Sequence, residues 1–260
     1  MGCKKSDFLY PGYEQSWSAK IRLQSGAWLS ALPVSSLGLL LDDAALRIAV
    51  ALRLGAPICE EHRCICGQSV DTHGLHGLSY KKSRGRHGRH AALNELIKRA
   101  LASAVVPSVL EPVGLDRGDG KRPDRLTSFT WRNGKCLIWD VTCVDTMAVS
   151  YIAGTSDTAG SAADEAERRK TVKYQSLMDH YHFSPLGFET FGSWGESAKA
   201  LVTEIAGKIQ AQTGEARSAE FLRQRISIEL QRGNAASVLG TVDTPKSCDE
   251  FFFLLGFNNF

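Results

Sequence analysis

Asn133-Gly134-Lys135-Cys136-Leu137-Ile138-Trp139-Asp140-Val141-Thr142-Cys143-Val144 is the stretch that decides the fold class. Asn-Gly ahead of an apolar run marks a two-residue hairpin turn, because both central positions take positive φ there. The run that follows is almost continuously apolar. Strict alternation would mark a strand with one wet face; its absence marks a central strand covered on both faces. Residues 126–131 read as its hairpin partner. Asp140 is the sole carboxylate in the run. An ionised carboxylate in a buried strand costs several kcal/mol unless it is paired or metal-bound, so Asp140 is a candidate functional residue.

Working upstream, Arg122-Pro123-Asp124 puts a proline just before the partner strand and Asp124 at its start. Asp124 lies nine residues before Asn133, and Asp140 six after Gly134; a bent or bulged hairpin could bring them together. Two close carboxylates repel unless a cation lies between them. Hard oxygen ligands suit Mg²⁺ or Mn²⁺. Downstream, a polar helix is expected over 162–182, with Lys170, Lys173 and Tyr174 on one face and Leu177 continuing it. A lysine there could orient a water or stabilise developing charge on a phosphate. The same helix carries Glu165, Glu167, Arg168 and Arg169, and reads equally well as a salt-bridged surface helix. Glu111, in Leu110-Glu111-Pro112, is a third carboxylate. It is either a ligand, a group behind the ligands, or a plain surface residue at a strand end; Glu95 is the other option for such a role.

The 260 residues allow one large domain or two small ones. With 43% hydrophobic and 23% charged residues, composition excludes collagen, coiled coil and a wholly disordered chain. No run reaches the roughly 18 apolar residues of a membrane span, so no transmembrane segment is expected. Helices are expected over 27–32 and 39–54, where Leu41, Ala45, Ile48 and Leu52 recur at helical spacing, and over 90–104, ending before Pro107. Asp42-Asp43 reads as a helix start. A short strand at 109–113, loops at 116–124 and 154–161, a strand at 187–191 and helices at 197–212 and 216–232 complete the order. Residues 251–260 form an apolar tail without an assigned structure. The class is α/β, a mixed sheet flanked by helices.

Residues 81–99 hold seven basic residues against Glu95 alone, while the rest of the chain has 24 basic and 27 acidic. Such a patch marks a polyanion partner, with Arg84, Arg86, Arg89 and His90 as phosphate contacts; the alternative is a solvated helix start. The seven cysteines are odd in number and the sequence is read as lacking a secretory signal, so an intracellular, reducing setting is expected. Cys136 and Cys143 read as core. Cys59, His62, Cys64, Cys66, His73 and His76 form a cluster that could hold zinc. Met1-Gly2-Cys3-Lys4-Lys5-Ser6 matches the N-myristoylation pattern, with Cys3 available for palmitoylation, so a membrane anchor through Gly2 and Cys3 is an alternative.

Taken in order, Lys121-Arg122-Pro123-Asp124, Asp140-Val141-Thr142 and Lys170-x-x-Lys173-Tyr174 resemble the PD-(D/E)XK nuclease core. More closely, they resemble the restriction-like endonuclease domain at the C-terminus of site-specific non-LTR retrotransposon polyproteins. Arg89-His90 followed by Asn94 resembles that family's Arg-His motif, and the Cys/His cluster its CCHC zinc-knuckle-like element, though Tyr80 stands where the family has a cysteine. Residues 27–33 and 47–55 resemble the linker after the polymerase part. The resemblance covers roughly residues 25–240. It implies an N-terminal segment (1–25), a helical linker (26–55), a zinc-knuckle-like segment (56–80) bound through Cys59, Cys64, Cys66 and His76, an endonuclease-like core (84–194), C-terminal helices (195–240) and a tail (241–260). It implies Asp124 and Asp140 as ligands of Mg²⁺ or Mn²⁺. Thr142 stands where many such nucleases have lysine, so Lys170, with Lys173 and Tyr174 beside it, would take that role from the next helix. The implied function is hydrolysis of a DNA phosphodiester by metal-activated water, in the nucleus, with DNA and also element RNA as partners and with the reverse transcriptase region absent from this chain. The rival reading is an inactive DNA-binding fragment of a retroelement.

Overall fold

The computed structural model describes residues 23–80, 82–110, 112, 115 and 122–242. Glu111, Lys121, the loop at 116–121, the N-terminal Gly2 and Cys3, and the 251–260 tail lie outside the described residues, as does the side chain of Arg84. In chain order the helices are α1 (Leu23–Gly26), α2 (Asp43–Leu54), α3 (Leu75–Ser79), α4 (Arg84–Ser103), α5 (Ile152–Asp157), α6 (Ser161–Lys173), α7 (Glu196–Thr213) and α8 (Ser218–Leu239). The strands are β1 (His62–Arg63), β2 (Ser69–Val70), β3 (Ser108–Leu110), β4 (Arg125–Arg132), β5 (Lys135–Val144) and β6 (His182–Glu189).

The expected hairpin forms. Asn133 and Gly134 both take positive φ, at 49° and 74°, which matches the right-handed twist of the strands they join. β5 is central, with Leu137 through Val141 all buried. The sheet runs β3-β4-β5-β6; β3 and β4 add antiparallel, and β6 joins β5 in parallel after the crossover through α5 and α6. This is a mixed α/β sheet flanked by helices. The odd-numbered side chains of β5 (Leu137, Trp139, Val141) pack with α4, α7 and α8, and the even face meets Tyr174 and Phe183.

The hairpin is not regular, and its irregularity positions the site. Pairing starts at Arg132↔Lys135; continued without interruption it would set Asp124 against Cys143. Two register shifts, flanking Thr130↔Cys136, slide the strands so that Arg125 pairs with Trp139. The next step along sets Asp124 beside Asp140, and the Asp124 backbone N–H donates to the Trp139 carbonyl at 3.0 Å. Bulges of this kind re-aim side chains at strand ends.

Three elements differ from the sequence expectation. The helix expected over 162–182 ends at Lys173, because Tyr174 turns inward and is fully buried against Phe183. β6 then covers eight residues, where only 187–191 was expected. Pro185 and Gly187 hide it: proline lacks a ladder donor and glycine weakens strands. Pro185 is tolerated because β6 is the sheet edge. Gly187 is required, since a Cβ there would lie 2.6 Å from the Ala163 carbonyl oxygen of α6. Finally, the loop expected over 154–161 contains α5.

Trp28, Leu39, Leu41, Ile48 and Leu52, expected in a linker, bury against Ile228, Ala235 and Val238 of α8. α2 itself is locally well specified: Asp42 accepts from the Ala45 N–H at 2.7 Å, and Gly55 closes the helix at φ 72°. A cap of that kind contributes about 1 kcal/mol.

Candidate active site and metal cluster

Four elements converge on the two aspartates. Asp140, on β5, is buried. Its Oδ1 accepts from Lys170 Nζ at 2.5 Å, and its Oδ2 lies 2.7 Å from the Tyr174 hydroxyl. That hydroxyl also lies 2.9 Å from the Arg122 carbonyl and accepts from Lys173 Nζ at 2.6 Å. Lys170 and Tyr174 are four residues apart at the C-terminal end of α6, so one helix face supplies both partners. Asp124 Oδ2 accepts from the Val141 backbone N–H at 2.8 Å and from Asn94 Nδ2 at 2.9 Å, and pairs with His90 Nε2 at 3.1 Å. His90 and Asn94 are one turn apart on α4.

The electrostatics follow from these contacts. Burial pushes the Asp124 carboxyl up, but His90, the Val141 N–H and Asn94 outweigh it and hold the carboxyl below its usual value. The hydrogen bond to Asp124 raises the His90 imidazole above its usual value, against a smaller opposing effect of burial. The pair therefore favours aspartate facing imidazolium. Asn94 is held in turn: its Oδ1 accepts from Trp139 Nε1 at 3.1 Å, inside the core. Thr142, two residues past Asp140 on the same face, has a buried hydroxyl with no partner among the described residues.

Asp124 and Asp140 come from neighbouring strands, and every described hydrogen bond to Asp124 falls on Oδ2, which leaves Oδ1 open. Asp140 is buried, and among the described residues the hydrogen bond to its Oδ1 comes from Lys170, a side chain about a quarter exposed.

The expected phosphate contacts on α4 need correction. Arg89 is buried, not surface-facing: its Nη1 donates to Asn234 Oδ1 at 2.5 Å, and Asn234 Nδ2 donates to the Thr190 carbonyl at 2.7 Å. Its aliphatic stem fills the space over Gly233, where a Cβ would come within 2.5 Å of it. Arg89 therefore ties α4 to α8 and to the end of β6. His90 faces Asp124 and joins the aspartate cluster, not a phosphate surface. Lys98 and Arg99 pair with Glu95, which also holds Arg125, so Glu95 is a salt-bridge hub and not a ligand. Lys82 and Arg86 remain exposed.

A second group gathers near the N-terminal helices. Cys64 and Cys66 sit in the turn between β1 and β2, and His76 on α3; their ligand atoms all lie within 4.8 Å of one another, with Cys66 Sγ 3.3 Å from His76 Nε2. Burial, and the neighbouring Cys66, push the Cys64 thiol up. The three residues could hold a metal such as zinc. Cys59 is not part of the cluster: its thiol donates to the Asp71 and Thr72 carbonyls, and burial pushes it up to about 12. His62 is engaged with Glu60 and Thr241. Tyr80 stacks on His76 at 5.5 Å between ring centroids. Four ligands complete a structural zinc site, and among the described residues three converge here.

The sequence marks Asn94 only beside the Arg-His motif and gives it no role, and Glu167 and Glu189 escape that reading as supports of the fold. Glu167 accepts from Gly187, Ser197 and Ala198 backbone N–H groups and so ties α6 to β6 and to the start of α7. Glu189, fully buried at the end of β6, accepts from the Ala162 and Ala163 N–H groups at the start of α6. Polar helix residues and a strand-end acid carry no signal of such long-range partners. No protein-family model matches this chain, and no curated protein is similar to it.

Proposed function

We propose that this chain is a metal-dependent DNA endonuclease of the PD-(D/E)XK type, akin to the domain carried by site-specific non-LTR retrotransposons. The observation that carries the reading is the meeting of Asp124 and Asp140 across a bulged hairpin, with Lys170 and Tyr174 delivered by the following helix. Around it the chain runs α4-β3-β4-β5-α5-α6-β6, with β3, β4 and β5 antiparallel and β6 parallel to β5.

In this reading Asp124 Oδ1 and Asp140 would hold the Mg²⁺ or Mn²⁺, which when bound would supply Lewis-acid chemistry on the phosphate and on water. Lys170 swings from Asp140 toward the phosphate and places its charge where negative charge develops. Tyr174, fixed between Asp140, Arg122 and Lys173, keeps the Asp140 carboxylate oriented. His90 and Asn94 hold Asp124 ionised and in one rotamer. Exposed Lys82 and Arg86 contact backbone phosphates, a term that weakens as salt rises. The Cys64, Cys66 and His76 cluster carries zinc and braces the segment between α2 and α4. DNA as partner, the nucleus as location and retroelement origin belong to the same proposal.

The test is nicking of supercoiled plasmid with Mg²⁺ or Mn²⁺. Wild type nicks, while Asp124→Asn, Asp140→Asn and Lys170→Ala each lose activity by about 100-fold or more with the fold intact by circular dichroism. A folded wild-type protein that neither nicks DNA nor binds either metal ends the enzyme reading; salt-sensitive DNA binding in that protein would favour the inactive DNA-binding fragment.

A further inference from the structure

We infer that the cleft between α7 and α8 is a binding site for a small oxyanion of the phosphate class. It does not rest on the nuclease reading. The cleft holds a cavity of about 60 Å³ lined by Trp194, Lys199, Val202, Thr203, Ala219 and Arg223. That is room for a few waters or one tetrahedral anion. It is remote in the fold from the aspartates. Trp194 packs edge-on against Phe188 in the core formed by Leu137, Trp139 and Val141, whereas Asp140 points from the other face of β5 toward α6.

Three donors mark the ligand as an anion. Trp194 is buried, and its indole N–H, a group that can only donate, has no partner among the described residues. A buried N–H left in that state is unfavourable, and a ligand oxygen would satisfy it. Lys199 spends one N–H on Glu196 Oε1 at 2.6 Å, and Arg223 one on Glu220 Oε2 at 2.5 Å. An ammonium has three donors and a guanidinium five, so both keep donors for a ligand. Among the described residues the lining holds no carboxylate; Glu196 and Glu220 pair with the two cations from outside it. The Thr203 hydroxyl donates to the Lys199 carbonyl at 2.8 Å and serves as wall, with Val202 and Ala219 as apolar floor. Two cations and an indole N–H around a small cavity select charge and size over shape, which is how a phosphate group is held.

The experiment titrates the full chain with inorganic phosphate at constant ionic strength, by calorimetry and thermal shift, with acetate as the control. The expected result is saturable binding of one phosphate per chain, a rise in Tm, and no response to acetate. Trp194→Phe, which keeps an aromatic ring and removes the N–H, and Arg223→Gln, a change on a half-buried surface side chain, should each weaken phosphate binding by about tenfold or more. Competition separates the sources. A 5′-phosphorylated oligonucleotide that displaces phosphate where its 5′-hydroxyl counterpart does not identifies a terminal phosphate ester as the ligand; displacement by neither identifies the inorganic anion. Absence of saturable phosphate binding, or equal binding by wild type and Arg223→Gln, overturns the site. Nicking by Asp124→Asn has no bearing on it.

Discussion

Glu189→Gln should stabilise the protein in a pH-dependent way. Glu189 is fully buried, and burial pushes its carboxyl up to about 7 from an ordinary 4.5. Neighbouring Asp164 adds to that, while the Ala162 and Ala163 N–H groups, 3.1 and 3.4 Å from Oε1, oppose it. The folded state thus keeps this proton to higher pH than the unfolded chain does. Stability is undiminished below about pH 4.5, falls as pH rises through the interval up to 7, and levels off above it. A shift of that size corresponds to roughly 3 kcal/mol at 1.36 kcal/mol per pKa unit. Glutamine keeps an oxygen for the two N–H groups and cannot ionise. Its amide nitrogen replaces Oε2, which already lacks a partner among the described residues. That constant penalty is the same at every pH, so the change in ΔΔG between pH 5 and pH 8.5 isolates the titration. The variant should gain on wild type by about 2–3 kcal/mol across that interval, equivalent to a relative Tm gain on the order of 5–10 °C. Urea unfolding of both proteins at each pH measures it. A ΔΔG that stays constant from pH 5 to 8.5 refutes the reasoning, because it would mean Glu189 titrates alike in the folded and unfolded chain.

Four further outcomes follow from the site and its supports. Thr142→Lys should restore part of the nicking lost in Lys170→Ala, since Thr142 shares the Asp140 face and its hydroxyl has no described partner to lose; a double variant as inactive as the single one counts against Lys170 acting by its charge. Arg89→Met should cost about 3 kcal/mol by urea unfolding, because Asn234 is left unpaired in the core, and should leave the salt dependence of DNA binding unchanged. Gly187→Ala should destabilise by about 2 kcal/mol or more in the same assay, since the new methyl meets the Ala163 carbonyl oxygen. Metal analysis should find zinc in wild type and in Cys59→Ser, and its loss in Cys66→Ser, whose ligand atom lies beside His76.

What could be read in the one-dimensional chain was whatever neighbours in sequence decide. Asn133-Gly134 needs only local backbone sterics, and Lys135–Val144 announces double burial through its own composition. Asp140 stood out because a carboxylate in such a strand is costly on any fold. Asp124 followed from a proline and a strand start. The crowding of cysteine and histidine over 59–76 marked a candidate metal cluster, though not which of its members converge, and the helical stripe of α2 was legible from its periodicity.

Tertiary structure decided everything that depends on register and on long-range partners. Two bulges turn a hairpin that would set Asp124 against Cys143 into one that sets it beside Asp140, and bulges leave no compositional trace. Burial reversed the role of Arg89: a cation in a basic run looks like a phosphate contact until Asn234, 145 residues away, is found holding it. Cys59 left the metal cluster because its thiol points at the Asp71 and Thr72 carbonyls, which spacing does not reveal. Residues 26–55 read as a linker since apolar faces do not name their partner, and α8 proved to be it. Local sterics and composition are properties of a segment, whereas register, charge pairing and side-chain burial are properties of contacts between segments, and those exist only once the chain has closed on itself.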